Sequence, residues 1–161
     1  MATLLRRLSD LCAWVTKAMV VLLAVALILC LLIAIFFRYV VGQALSWPEE
    51  LSMLLFAWLV LLASSLGVRE GFHVRLTVIF NRFPPLLRKE MSYSIISLII
   101  AFGAVLFWSG QDLVVRTSGN LSATLGYPLE IINSSAPVCG VLIVIHGLYR
   151  LLAIAKGEVE L

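Results

Sequence analysis

Charge is the scarcest thing in this chain. Of 161 residues only 12 are Lys or Arg and 9 are Asp or Glu, 13% together, and the charged residues avoid four long stretches altogether. These stretches run Ala18–Phe37, Leu51–Val68, Met91–Gln111 and Ile131–Tyr149. A charge near the middle of a bilayer is costly, and proteins that carry ions or protons usually keep one there for that purpose. No such carboxylate stands inside these runs, which argues against a self-sufficient pump. Histidine is nearly as rare, with His73 between runs and His146 inside the last one. A membrane b-type haem needs two facing histidines and only one stands within a run, which argues against it, and His146 reads as a packing or interfacial histidine rather than a ligand or relay. Cys12, Cys30 and Cys139 form no C-x-x-C pair, so they read as small apolar fillers rather than a thiol relay. A Gly-rich phosphate loop, an H-E-x-x-H helix, a nucleophile elbow and an internal transporter repeat are all missing. Nothing here marks an enzyme, a metal site or a cofactor site.

What remains is apolar mass. Hydrophobic residues make up 62% of the chain and the mean hydropathy is +1.08. Each uncharged run is long enough for a helix to cross a hydrocarbon layer about 30 Å thick. The expected fold is all-α and integral to the membrane, one domain over residues 1–161. Its four transmembrane helices are expected at about 18–38, 48–68, 88–112 and 131–155. The basic start with a long apolar run and no A-x-A site over Ile33–Tyr39 reads as a retained signal-anchor helix rather than a cleaved leader. Leu4–Trp14 mixes Arg6, Arg7 and Asp10 with leucines, and Leu76–Phe83 precedes Pro84-Pro85. Both segments suit short amphipathic helices lying on the membrane surface.

The flanking charges give a topology. The N-terminal flank, the middle loop and the C-terminal flank hold Arg6, Arg7, Lys17, Arg69, Arg75, Arg82, Arg88, Lys89, Arg150 and Lys156, whereas the other two loops hold only Arg38 and Arg116. The positive-inside rule then places both termini and the middle loop in the cytoplasm, with Trp47 and Trp108 in the outer aromatic belt. The net charge of +3 belongs to this asymmetry and implies no nucleic acid.

The informative motifs sit where the second span begins and ends. Ser46-Trp47-Pro48-Glu49-Glu50-Leu51 has the form of a helix start: Ser46 and Glu49 are spaced as a capping box, Pro48 suits a first turn, and two carboxylates favour the positive end of the helix dipole. Arg38 is a natural partner for Glu49 or Glu50 if the first two spans are antiparallel neighbours. At the other end, Gly71 permits a turn, and Arg69 and Arg75 suit either lipid phosphates or the docking of another membrane subunit. The loop from Arg116 to Asn133 is rich in Ser, Gly, Asn and Pro and is expected to turn rather than form a domain. Ala63 with Gly67 and Ala136 with Gly140 are small residues four apart that would let helices approach closely.

Taken together, these segments resemble the small membrane subunit of TRAP transporters, the DctQ-type family. The likeness runs through Phe37-Arg38-Tyr39-Val40, Trp47-Pro48-Glu49-Glu50-Leu51 and Phe56-Ala57-Trp58-Leu59. It ends on Arg69-Glu70-Gly71-Phe72-His73-Val74-Arg75, similar to the family's R-x-G-x-H-[IV]-R pattern. Fainter echoes follow at Ser122–Pro128 and Ala136–Gly140, and Ile131–Ser135 departs from the family in lacking an aromatic residue before the last proline. The resemblance implies a multi-pass subunit of the bacterial inner membrane. It would steady a large multispan permease that carries an organic acid with sodium, supplied by a periplasmic substrate-binding protein. It further implies an interface with that permease or with membrane lipids formed by Arg38, Trp47, Glu49, Glu50, Trp58, Arg69, Gly71, His73 and Arg75. The competing readings are a stand-alone four-helix transporter and a membrane redox subunit.

Overall fold

The computed structural model describes residues 2–70 and 85–155. Gly71, His73, Arg75 and the segment Leu76–Phe83 lie outside them. Four long helices are present and no strand is formed among the described residues. The first, α1, runs Ala2–Phe36 and continues into a π-helical turn over Phe37–Val41 that ends at Gly42. Helix α2 spans Trp47–Glu70, and α3 spans Pro85–Arg116. A short helix, α4 (Glu130–Asn133), leads into α5 (Ser135–Ala155). The stretches long and apolar enough to cross a membrane are Arg7–Val41, Trp47–Glu70, Glu90–Arg116 and Glu130–Ala155. The chain is a membrane protein with four spans.

The sequence explains where each helix starts and stops. Between Ala2 and Phe36 there is neither Gly nor Pro, so nothing interrupts the ladder of hydrogen bonds. This overturns the surface helix expected at Leu4–Trp14, which is instead the first part of α1. Arg7 and Asp10 are exposed, whereas Ser9, Ala13 and Thr16 are buried against the bundle. Their spacing of four and three residues puts them on one helical face. Helix α2 opens on Trp47-Pro48 with Glu49 and Glu50 in its first turn. The break between α4 and α5 falls four residues before Pro137, which has no N–H to offer the carbonyl of Asn133.

Packing runs in a chain: α3 lies on α5, α5 on α2, and α2 on α1, which also touches α5. Helix α5 is the central element, with Pro137, Cys139, Gly140, Ile143, His146 and Gly147 all buried. The closest approach is between α3 and α5. A Cβ added at Gly140 would lie 2.6 Å from the Phe107 amide nitrogen and 2.7 Å from the Gly103 carbonyl oxygen. At Gly110 it would lie 2.6 Å from Cδ of Pro137. Association inside a bilayer relies on such backbone proximity, since apolar side chains gain little by leaving lipid. The Ala136/Gly140 pair thus falls in a real seam. The Ala63/Gly67 pair does not, because Ala63 is exposed. Gly103 meets Gly140, Gly110 lies against Pro137 and Gly147 against Ile100; the glycines are seven apart on each helix, a spacing that keeps them on one face.

Helix α1 contributes little to this core. Val21, Leu22, Val25, Ile28, Leu29, Leu32 and Ile35 are all exposed, as are Leu98, Phe102, Val105 and Trp108 on α3. In a spanning protein such surfaces meet lipid or another polypeptide.

Candidate functional site

The motif residues of α1, α2 and the 117–129 loop meet at one end of the bundle. The π turn carries Arg38, whose Nη2 donates to Glu49 Oε1 at 2.7 Å. The opposite charge of Arg38 takes the Glu49 carboxylate, so no hydrogen bond joins Ser46 to Glu49 and the capping box is not formed. Glu50 goes elsewhere. Its Oε2 accepts from the backbone N–H groups of Thr124 at 3.0 Å and Leu125 at 2.7 Å. Two adjacent carboxylates at a membrane boundary therefore have separate partners: one ties α1 to α2, the other ties α2 to the distant loop.

That loop is an ordered hairpin. Leu121 and Pro128 form a single antiparallel bridge, Ser122 N–H donates to the Tyr127 carbonyl at 2.9 Å, and Leu129 N–H donates to that of Asn120 at 2.9 Å. Gly119 and Gly126 adopt positive φ (81° and 69°), which side-chain-bearing residues resist. Glu130 accepts the Gly119 N–H at 2.9 Å, closing the hairpin base. Partial burial, and then the nearby Glu50 carboxylate, hold the Tyr127 phenol above its ordinary pKa. Trp58 was expected on a subunit or lipid interface, but its indole N–H is used inside the chain, donating to the Ile131 carbonyl at 2.9 Å. Trp47 opens α2 and is half-buried. We expect Glu50→Ala to speed amide exchange at Thr124 and Leu125 by roughly tenfold or more while leaving helical content unchanged, because these amides lose their acceptor. Exchange mass spectrometry in detergent would check this.

The opposite end holds a second node. Arg69, near the end of α2, pairs with Asp10 of α1, and Lys17 Nζ lies 2.5 Å from Glu70 Oε1. Arg150 of α5 donates through Nη1 to the carbonyls of Val68 at 3.4 Å and Arg69 at 3.3 Å, placing a cation at the negative end of the α2 dipole. The Ser9 hydroxyl lies 2.9 Å from Nδ1 of the fully buried His146. Arg69, offered by the sequence as free for lipid or partner, is thus engaged by its own chain and its side chain keeps 23% exposure. Ser9, Asp10, Lys17 and Arg150 had not stood out as site residues. The signal was there in part: His146 and Arg150 are four apart on one helix, and Asp10 and Lys17 are seven apart on another. Only the pairing of the helices reveals that these faces meet.

Three cysteines are free. Cys30 donates its thiol to the Pro48 carbonyl at 3.4 Å, and Cys139 to that of Leu61 at 3.0 Å, so both fasten helix to helix. Among the described residues no three His, Cys, Asp or Glu side chains converge as metal ligands would. The arrangement does mechanical work: two polar clasps, one at each end, joined by an apolar bundle.

Comparison with known proteins identifies that bundle. The family described as "Tripartite ATP-independent periplasmic transporters, DctQ component" matches residues 27–157. This chain belongs to that family. The match takes in the whole motif-bearing end of the bundle, and begins beyond Ser9, Asp10 and Lys17. Among its relatives is the sialic acid TRAP transporter small permease protein SiaQ of Vibrio cholerae. It is 27% identical over 120 residues, 74% of this chain and 69% of the relative. The C4-dicarboxylate TRAP transporter small permease protein DctQ of the same organism is 33% identical over 69 residues, 43% of this chain and 30% of that protein. A putative TRAP transporter small permease protein of Haemophilus influenzae is 27% identical over 128 residues, covering 76% and 79%. This DctQ-type chain is a TRAP small permease subunit with four membrane-crossing helices.

Proposed function

We propose that this subunit is the non-transporting member of a sodium-coupled uptake system for an organic acid. It steadies a large multispan permease, to which a periplasmic substrate-binding protein delivers the solute. The observation that carries the reading is electrostatic. The four spans contain no acidic residue in their interiors, and the carboxylates of Asp10, Glu49, Glu50 and Glu70 at their ends are held by partners within the chain. A bundle so arranged offers a travelling cation no resting place. The exposed apolar faces of α1 and α3 supply the area a second membrane polypeptide would cover. Sialic acid and C4-dicarboxylates, named for the relatives, are both carboxylic acids, which supports an acid as the solute. The excess of basic residues beside the termini and the middle loop supports a cytoplasmic location for both ends of this inner-membrane subunit. On this reading Arg38, Trp47, Glu49, Glu50 and Trp58 shape the outer surface offered to the permease. Arg69, Gly71, His73 and Arg75 shape the inner one, against the permease or lipid.

The test is reconstitution. Proteoliposomes holding this subunit alone should accumulate no labelled organic acid under a sodium gradient. Adding the permease and the binding protein should produce uptake, and omitting this subunit should lower it and the yield of intact permease. Accumulation by the subunit alone would refute the proposal. Full permease yield and uptake without it would equally remove the supporting role.

A further inference from the structure

At the end of the bundle where α2 terminates, the Arg150 guanidinium forms no ion pair with any described residue. Asp10 is paired with Arg69 and Glu70 with Lys17, and Glu90 of α3 makes no ion pair with Arg150. Arg150 is only 7% exposed, yet its guanidinium makes contact with the α2 carbonyls through Nη1 alone. On the side-on edge of the guanidinium, Nε is buried without a partner among the described residues. One turn earlier on the same helix, His146 Nε2 is also buried without a partner there. If Nδ1 accepts from the Ser9 hydroxyl, the proton of the neutral ring sits on Nε2, and both unpaired atoms are donors. Two buried donors without acceptors, one of them on a cation, are expensive unless an anionic acceptor meets them.

The side-on edge of a guanidinium is a two-pronged donor that matches two oxygens of one phosphate. The depth agrees. Arg150 stands beside the ring of charges made by Asp10, Lys17, Arg69 and Glu70, where the apolar spans give way to polar side chains and where lipid headgroups lie. We propose that Arg150, assisted by His146, binds the phosphate group of a phospholipid in the leaflet at this end, at the junction of α1, α2 and α5. The inference needs the four spans but not the assignment of either end to a compartment, nor the supporting role argued above.

Native mass spectrometry of the purified chain released from nanodiscs of equal phosphatidylglycerol and phosphatidylcholine would test it. The wild type should retain phosphatidylglycerol preferentially. Arg150→Lys keeps the charge but loses the two-pronged edge and should lower the retained fraction about tenfold, equivalent to roughly 1.4 kcal/mol. His146→Phe should lower it less, and Arg116→Gln, at the other end of the bundle, should leave it unchanged. Unfolding midpoints in lipid-free detergent would show that each variant is folded. Equal retention by Arg150→Lys and Arg116→Gln would overturn the site. Displacement of the bound lipid by inorganic phosphate would support phosphate recognition. A wild type that bound inorganic phosphate but retained no lipid would overturn the lipid source, and equal displacement by acetate would overturn phosphate in favour of a carboxylate.

Discussion

Gly140→Val is expected to abolish the native packing of α3 on α5. The first added carbon already falls within 3 Å of the Phe107 amide nitrogen, the Phe107 Cα and the Gly103 carbonyl oxygen. These are backbone atoms, so no rotamer change can clear them and one helix must move as a body. Overpacking in a well-filled interior typically costs 1–3 kcal/mol where side chains can adjust, and here the cost should reach about 3 kcal/mol or more. The effect should be large because α5 is central: pushing α3 off it also disturbs the buried cluster of Val68, Cys139 and Ile143, with Ile99 and Leu106 packed against it. Thermal unfolding in detergent should show a midpoint lowered by many degrees or no cooperative transition at all. As a contrast, Ala63→Val lies on an exposed face and should leave the midpoint nearly unchanged. A wild-type midpoint for Gly140→Val would mean the two helices are not in backbone contact.

Charge reversal at Asp10 should give the second large effect. Asp10→Lys places a cation against Arg69, whose own neighbours include Arg150 bonded to its carbonyl. An exposed ion pair by itself contributes about 0–1 kcal/mol, so simple neutralisation to Asn should be mild. Reversal differs because it adds repulsion at a site where Arg69 is mostly enclosed, and because Asp10 directly follows Ser9, which is bonded to His146. Displacing α1 there opens both contacts. The expected result is a clear loss of stability for Asp10→Lys, little for Asp10→Asn, and substantial recovery in the double variant Asp10→Lys with Arg69→Asp. A double-mutant cycle on unfolding midpoints reads the coupling directly. No recovery on swapping the charges would show that the two residues do not pair.

Several side chains near the ends of α1 and α2 find partners that their sequence neighbours do not announce. Arg38 was left open between Glu49 and Glu50. The structure gives it Glu49, because Glu50 is drawn to two backbone N–H groups more than seventy positions away in sequence. Arg69 suits lipid phosphates or a partner subunit by sequence, and the structure pairs it with Asp10, which precedes the first apolar run. Trp58, which the family resemblance implies for an interface, has its indole N–H accepted by the Ile131 carbonyl, 73 positions further along the chain. In each case a long-range pairing fixed the outcome, and side-chain type alone carries no information about which distant group will arrive.

The number of spans, the charge-poor interior and the family-bearing motifs were settled by the residues themselves. Crossing a bilayer is a local requirement, met or failed within some twenty consecutive residues. Which helices touch, which glycines lie in the seam and which charges answer one another were decided only by tertiary structure. Apolar helices gain nearly as much from lipid as from each other, so their arrangement depends on a few close contacts and polar pairs that exist only once the bundle has formed.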